Sequence, residues 1–379
     1  MLKIVTIIGA RPQIIKAAAL SRAIKNKFAD KIQEVIIHTG QHYDDNMSKV
    51  FFDELGVPQP DFNLNIRLVS HGEQTGAMIS GIEKVIQAEK PSCIVVYGDT
   101  NSTLSGAIAS SKINIPVIHI EAGLRSFNKL MPEEVNRILC DHVSTLLFCP
   151  TKTGYDNLLK EGFKEKNIAP YNINNPKIYH CGDIMYDNSI YFSEIAEKKS
   201  TILKDNDIAP NEFILATIHR NTNTDDPVRL SSIFSAIKKV AETKKIEIVI
   251  PLHPRTAKQL EQTPELYKEI KSNKNIKIIP PVSFLEMICL EKNSKLVITD
   301  SGGVQKEAFF FKKPCVILRS ETEWIELVSC GAALLVDTNE TQILNAVSHF
   351  FQASIQFPAF FGDGKTAEFI CKEMLTNIN

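Results

Sequence analysis

A chain of 379 residues with 44% hydrophobic side chains exceeds one ordinary globular core and predicts two domains. Its 43 basic and 44 acidic residues leave a formal net charge of −1, so no global field draws it to nucleic acid or to an anionic membrane. The opening Met1-Leu2-Lys3-Ile4-Val5 runs straight into a strand pattern, no apolar run reaches membrane-spanning length, and the eight cysteines form no Cys-x-x-Cys pair, so a cytoplasmic protein with reduced core cysteines is expected.

Short β-branched runs at Lys3–Ile8, Glu34–His38, Cys93–Tyr97, Pro116–Ile120 and Leu146–Cys149 read as buried strands. Amphipathic stretches such as Arg11–Lys27, His71–Glu89 and Thr103–Ser111 lie between them as helices, and the alternation predicts a parallel sheet built from βαβ units. Ala169–Pro176, rich in proline and asparagine, reads as a loop near the domain boundary. The pattern then restarts, with strands at Phe213–Thr217, Glu247–Leu252, Ile276–Ile279, Leu296–Thr299 and Cys315–Leu318 and helices such as Val228–Glu242 and Phe284–Glu291. The expectation is an α/β fold of two Rossmann-like domains, 1–170 and 186–360, with a closing helix in 361–379 packed back on the first. Ligands bind beyond the carboxyl ends of parallel strands, so two such domains predict a cleft between facing sheets.

The motifs sit at those strand ends. Gly9-Ala10-Arg11-Pro12 follows the first strand and opens a helix, whose backbone N–H groups and positive dipole end suit an anion. Arg11 and Lys16 are the phosphate candidates there, against a solvated arginine beside a tight turn. Asp99, in Tyr97-Gly98-Asp99-Thr100, is either a helix cap or a catalytic carboxylate. Glu121 stands at the next strand tip, in His119-Ile120-Glu121-Ala122-Gly123-Leu124-Arg125. Glu133 follows Pro132 at a helix start, where the dipole favours an acid in any case. Asp99, Glu121 and Glu133 nevertheless project toward one rim of the same sheet, and clustered carboxylates raise one another's pKa into the range useful for proton transfer. In the second half, His219 before Arg220 and His253 before Pro254-Arg255 stand just past two strand ends. Asp300-Ser301-Gly302-Gly303-Val304-Gln305-Lys306-Glu307 offers Ser301 and the following N–H groups to a diphosphate and Glu307 to ribose hydroxyls; the plain alternative is a Ser N-cap with a solvated glutamate. No metal-ligand spacing is visible.

As a set, in order and across nearly the whole chain, these motifs resemble the non-hydrolysing UDP-N-acetylglucosamine 2-epimerase family. The residues carrying the resemblance are Ile7-Ile8-Gly9-Ala10-Arg11-Pro12-Gln13, Tyr97-Gly98-Asp99-Thr100, the Glu121 and Glu133 motifs, His219-Arg220 and the run from Asp300 to Glu307. The resemblance implies the GT-B fold, with UDP on the C-terminal domain and the sugar facing the N-terminal one. It places Asp99, Glu121, Glu133 and His219 at catalytic positions, and Arg11, Ser301, Gly302, Gly303 and Glu307 at UDP contacts; Lys16 and His253 join them as binding candidates from the spacing above. It implies elimination of UDP and its re-addition, with no cofactor and no metal, by an isomerase expected to be a homodimer.

The chain departs from the plain members at Gln13, where they carry Glu, and at Glu323-Trp324-Ile325-Glu326, where they carry an Arg-Pro pair. Together with Gln41-His42-Tyr43-Asp44-Asp45-Asn46-Met47, these features are similar to the branch that epimerises UDP-2,3-diacetamido-2,3-dideoxyglucuronate to the mannuronate for lipopolysaccharide O-antigen. UDP-N-acetylglucosamine is the alternative substrate. A hydrolysing 2-epimerase, a GT-B glycosyltransferase and a nucleotide-binding regulator are the competing classes. The carboxylate trio argues against glycosyl transfer, and Gly9-Ala10-Arg11-Pro12 argues against the hydrolysing relatives.

Overall fold

The structure is a computed structural model describing residues 1–40, 56 and 58–378; the motif at 41–47 lies outside them. The chain divides into two compact units, Met1–Asn188 with Ala359–Asn379, and Ser189–Pro358.

Among the described residues the first unit holds seven strands, β1 (Leu2–Ile8), β2 (Ile32–His38), β3 (Phe62–Asn63), β4 (Cys93–Tyr97), β5 (Val117–Ile120), β6 (Leu146–Cys149) and β7 (Lys177–His180), in the order β3-β2-β1-β4-β5-β6-β7. Every pairing is parallel. Central strands are apolar on both faces because helices cover both: β4 is buried throughout, and Val5, Ile7, Ile94 and Val96 pack with Met78, Ile82 and Ile86. Each such side chain contributes about 1.5–3 kcal/mol on burial.

The principal helices of this unit are α1 (Arg11–Ala23), α2 (His71–Glu89), α3 (Asn101–Lys112), α4 (Pro132–His142) and α5 (Lys152–Lys160). Helix α2 starts where Ser70 caps the Glu73 N–H and ends at Lys90, whose φ of 49° breaks the helix. The expected helix over 11–27 stops at Ala23, and Ile24–Phe28 continues as a π-helical turn.

The second unit repeats the plan with β8 (Phe213–Thr217), β9 (Glu247–Pro251), β10 (Ile276–Ile279), β11 (Leu296–Thr299), β12 (Cys315–Ile317) and β13 (Ala333–Leu335), ordered β10-β9-β8-β11-β12-β13 and parallel throughout. In both sheets the chain builds outward on one side and then crosses to the other. Unit one therefore reverses direction between β1 and β4, and unit two between β8 and β11. A crevice opens at such a switch point.

The first crossing from one unit to the other falls inside helix α6 (Ile184–Lys199), between Asn188 and Ser189, and the chain returns between Pro358 and Ala359. The Ala169–Pro176 loop stays in the first unit and leads into β7. Helix Thr366–Asn377 packs against α1, and Asp187 of α6 accepts hydrogen bonds from its Thr366 and Ala367 N–H groups at 3.1 and 2.8 Å. Among the described residues no helix is long and apolar enough to cross a membrane, and no cluster of His, Cys, Asp and Glu is placed to hold a metal ion. The cysteines are unbridged, most of them buried.

Candidate active site

The switch point of the first unit gathers the N-terminal candidates. Gly9 follows β1 where a Cβ would collide with Ser102 Oγ and Thr39 Oγ1, so close packing demands glycine. The donors of this loop are not open to an anion as expected. Gly9 N–H and Ala10 N–H both donate to Gln13 Oε1, at 2.9 and 3.1 Å, while Gln13 Nε2 donates to Tyr97 O and Thr103 Oγ1. A neutral amide in that place closes the helix end from within and ties α1 to the β4 tip. Arg11 is exposed at the helix start, so the cationic part of the expectation rests on its side chain.

Lys16 points from α1 into the same place, 2.6 Å from Glu121 Oε2, with both side chains only 11% exposed. Glu121 has φ 73°, a left-handed backbone uncommon for a side-chain-bearing residue, and its N–H and that of Ala122 both donate to Phe148 O. Gly98 has φ 63°, and a Cβ there would lie 3.1 Å from Lys16 Nζ, so this glycine makes room for the ion pair.

Asp99 follows at once and is ion-paired with Arg137 of α4. Burial raises the Asp99 pKa, against Arg137 and Lys16, which lower it; Glu121 and Glu133 raise it further. The three predicted carboxylates thus share one electrostatic neighbourhood with two cations.

Adjacent glutamates on α4 part company. Glu133 faces solvent, whereas Glu134 is buried and accepts from Ser126 N–H and Phe127 N–H, each at 2.9 Å, and from Arg137. Burial opposes its charge, but those donors hold its pKa below the ordinary value. Asn136, two residues on, donates to Asp99 O at 2.8 Å and fixes the turn beneath the catalytic candidate.

At the switch point of the second unit, buried Asp300 after β11 accepts from His219 N–H, Arg220 N–H and Asn223 Nδ2, so it builds the turn that presents His219. The His219 side chain is half exposed, with Nδ1 3.7 Å from Asp300. Ser301 caps helix Gly302–Phe310 through Val304 N–H at 3.5 Å. Its own N–H, expected to face a diphosphate, donates to Thr299 Oγ1 at 3.0 Å, because a strand-end threonine sits directly below it. Gly302 N–H and Gly303 N–H, at the first helical positions, have no intrahelical acceptor.

Two guanidiniums crowd this end. Arg319, 7% exposed, pairs with Glu323 at 3.1 Å. Its Nη1 would lie 3.6 Å from a Cβ on Gly302. Arg220 is lowered in pKa by burial and by Arg319, with Glu323 and Asp300 opposing. Like charges held this close at a helix N-terminus match a doubly charged anion.

Glu307 lies one turn into the helix beside fully buried Glu291, whose carboxyl is pushed well above the usual range by burial and by Glu307 itself. His253 is exposed and caps helix Pro254–Leu260 through Arg255 N–H at 3.3 Å, which gives it a structural task at its strand end. Sequence spacing does not single out Arg137, Arg220 or Arg319 as site residues. Arg137 stands four residues after Glu133 on α4, but its partner Asp99 is at the tip of β4, and Arg319 is an isolated arginine after β12.

Residues 24–375 match the family model described as UDP-N-acetylglucosamine 2-epimerase. The chain is 48% identical to a UDP-N-acetylglucosamine 2-epimerase homolog of Methanococcus maripaludis, with 100% of each chain covered. It is 47% identical to the UDP-2,3-diacetamido-2,3-dideoxy-D-glucuronate 2-epimerase of Pseudomonas aeruginosa, over 98% of this chain and 100% of that one. Among solved structures, the UDP-GlcNAc 2-epimerase of Methanocaldococcus jannaschii in complex with UDP-GlcNAc and UDP superposes with a TM-score of 0.83 at 43% identity, covering 99% of each chain. Two parallel-sheet units with these motifs at their switch points, and likeness along the whole length, make this protein a GT-B isomerase belonging to the UDP-N-acetylglucosamine 2-epimerase family.

Proposed function

We propose that the protein is a non-hydrolysing UDP-sugar 2-epimerase that inverts C2 of UDP-2,3-diacetamido-2,3-dideoxyglucuronate, giving the mannuronate epimer as a precursor for cell-surface polysaccharide. The observation that carries the reading is the grouping of Asp99, Glu121 and Glu133 with Lys16 and Arg137 at one switch point. The C2 hydrogen of a 2-acetamido sugar has no neighbouring carbonyl in the ring and is not acidic. A carboxylate removes it while the C1–O bond breaks with its electron pair passing to the diphosphate, leaving a C1=C2 double bond. A second acid returns a proton to the opposite face of C2 as the diphosphate oxygen adds back to C1.

In this scheme Asp99, Glu121 and Glu133 supply acid and base. The raised Asp99 pKa and the short Lys16–Glu121 pair set two carboxylates in different protonation environments, as a site needing both an acid and a base requires. The leaving diphosphate is received by Gly302 and Gly303 N–H, the Ser301 hydroxyl, Arg220 and Arg319, with His219 as a further donor; each preorganised donor is worth about 3–4 kcal/mol. Glu307 takes the ribose hydroxyls. A cytoplasmic homodimer completes the proposal.

The substrate branch rests on the Glu323-Trp324 departure and on the Pseudomonas relative. The Methanocaldococcus relative favours UDP-N-acetylglucosamine as the second reading. Incubation with each UDP-sugar separately, followed by chromatography, decides. Conversion of the diacetamido uronate to a second UDP-linked epimer is expected; conversion of UDP-N-acetylglucosamine alone assigns the other branch. Release of free UDP in step with free sugar overturns the non-hydrolysing reading.

A further inference from the structure

A buried charge cluster lies under the catalytic candidates of the first unit. His119, on β5, is fully buried and bonded through both ring nitrogens: Nδ1 to Asp141 Oδ1 at 2.7 Å and Nε2 to Gly98 O at 2.8 Å. Asp141, also fully buried, takes Gly123 N–H at 3.1 Å and Arg125 Nη1 at 2.8 Å on its other oxygen. Arg125 in turn makes a two-pronged pair with Glu161, at 2.7 Å on each prong.

A backbone carbonyl only accepts, and a carboxylate already engaged by a guanidinium and an amide is an ionised acceptor, so both His119 nitrogens carry hydrogen. Although burial opposes the charged ring, Cys140 and Asp141 beside it carry its pKa well above the ordinary value, and Asp141 is held low by His119 and Arg125 against its own burial. Gly98 and Gly123 are the residues flanking the two catalytic turns: Asp99 follows Gly98, and Glu121 stands two places before Gly123. Both glycines have positive φ, 63° and 77°, and a Cβ on Gly123 would collide with Gly154 O, so neither turn is held by ordinary sheet pairing alone.

We propose that His119 is a positioning residue of the epimerase, an imidazolium that tethers the Gly98 carbonyl directly and the Gly123 amide through Asp141, so that one buried cluster holds Asp99 and Glu121 in register. The inference rests on the assignment of those two carboxylates to proton transfer. A tether of this kind affects kcat and leaves nucleotide binding, which belongs to the second unit, unchanged.

The test uses two variants of the full chain. His119→Asn keeps a donor near Asp141 but falls short of Gly98, whereas His119→Gln reaches toward Gly98 and gives up the Asp141 contact. The expected result is kcat lower by about 100-fold in His119→Asn, the scale of a 1 Å misplacement, and a smaller loss in His119→Gln, where Arg125 and Gly123 N–H still hold Asp141, with KM and UDP affinity unchanged in both. Equal loss in the two variants, loss confined to KM or UDP affinity, or wild-type kcat in His119→Asn overturns the tether. If the variants do not fold, nitrogen NMR of the wild type still decides. The exchange-protected buried imidazole should keep both ring nitrogens protonated as pH rises through and past the ordinary histidine range; loss of one proton within that range contradicts the proposal. With no turnover by the wild type on either UDP-sugar, the epimerase reading falls and this inference with it, whereas turnover with an indifferent His119→Asn overturns the inference alone.

Discussion

A methyl group added at Gly302 would collide with Glu323 Oε1, whereas one added at Gly303 meets only Ser301 Oγ at 3.9 Å. At the first position the Glu323 carboxylate must swing aside and strain its pair with Arg319, whereas at the second the missing side chain leaves room for a ligand. Gly302→Ala should lower the melting temperature. Gly303→Ala should melt like the wild type yet bind UDP about tenfold more weakly, since a displaced diphosphate loses part of one preorganised contact; calorimetry of each variant reads both effects. Asp99→Asn should keep UDP affinity and lose about 10²–10⁴ in kcat, the usual contribution of a positioned acid or base. Because burial raises the Asp99 pKa, the wild-type rate profile should carry an ionisation above the ordinary carboxylate value that vanishes in this variant. At this scale the glycines and carboxylates were legible, since their chemistry depends on residue type at a strand tip. The Gln13 amide occupying its own loop was not, because side-chain reach back onto the backbone depends on a rotamer and not on spacing.

Helix Thr366–Asn377 joins the first unit through Asp187, whose carboxylate meets the two N–H groups at the helix start. Asp187→Ala should cost about 1–2 kcal/mol, as loss of a helix cap does. Burial pushes the Asp187 pKa up to about 6 in spite of the Ala367 and Thr366 bonds. A folded-state pKa raised above the unfolded value of about 3.9 stabilises the protein below that value, and the contribution is lost as pH rises through about 6. Thermal melts between those pH values should therefore show a decline in the wild type that is shallower in Asp187→Ala. Central elements were legible because strands such as Cys93–Tyr97 and Leu296–Thr299 are continuous apolar runs, as parallel strands buried on both faces must be. The strands β3, β7 and β13 were not anticipated: each lies at a sheet edge, is at most four residues long, and alternates or lacks full burial. The crossing inside α6 carries no turn signal, because a continuous helix serves both units.

Two α/β units with the same plan place their strand-order reversals at β1/β4 and β8/β11; Arg11, Asp99, His219 and Ser301 each come just after one of those strands, while Glu121 follows β5, exposed Glu133 starts α4 and His253 follows β9. This explains why motifs scattered from Gly9 to Glu307 could be placed at strand ends from the sequence: parallel βαβ order alone puts the loop ends of one sheet on a common rim. What it could not supply was the pairing across elements, Asp99 with Arg137 and Lys16 with Glu121, which decides the charge of the site. The central claim is that C2 is deprotonated and reprotonated while UDP is conserved. Proton NMR in D2O with UDP-2,3-diacetamido-2,3-dideoxyglucuronate, and in a second run with UDP-N-acetylglucosamine, tests it directly. Deuterium at C2 together with an epimer still attached to UDP is expected; free sugar, or unlabelled C2 with both compounds, would rule out elimination and re-addition of UDP.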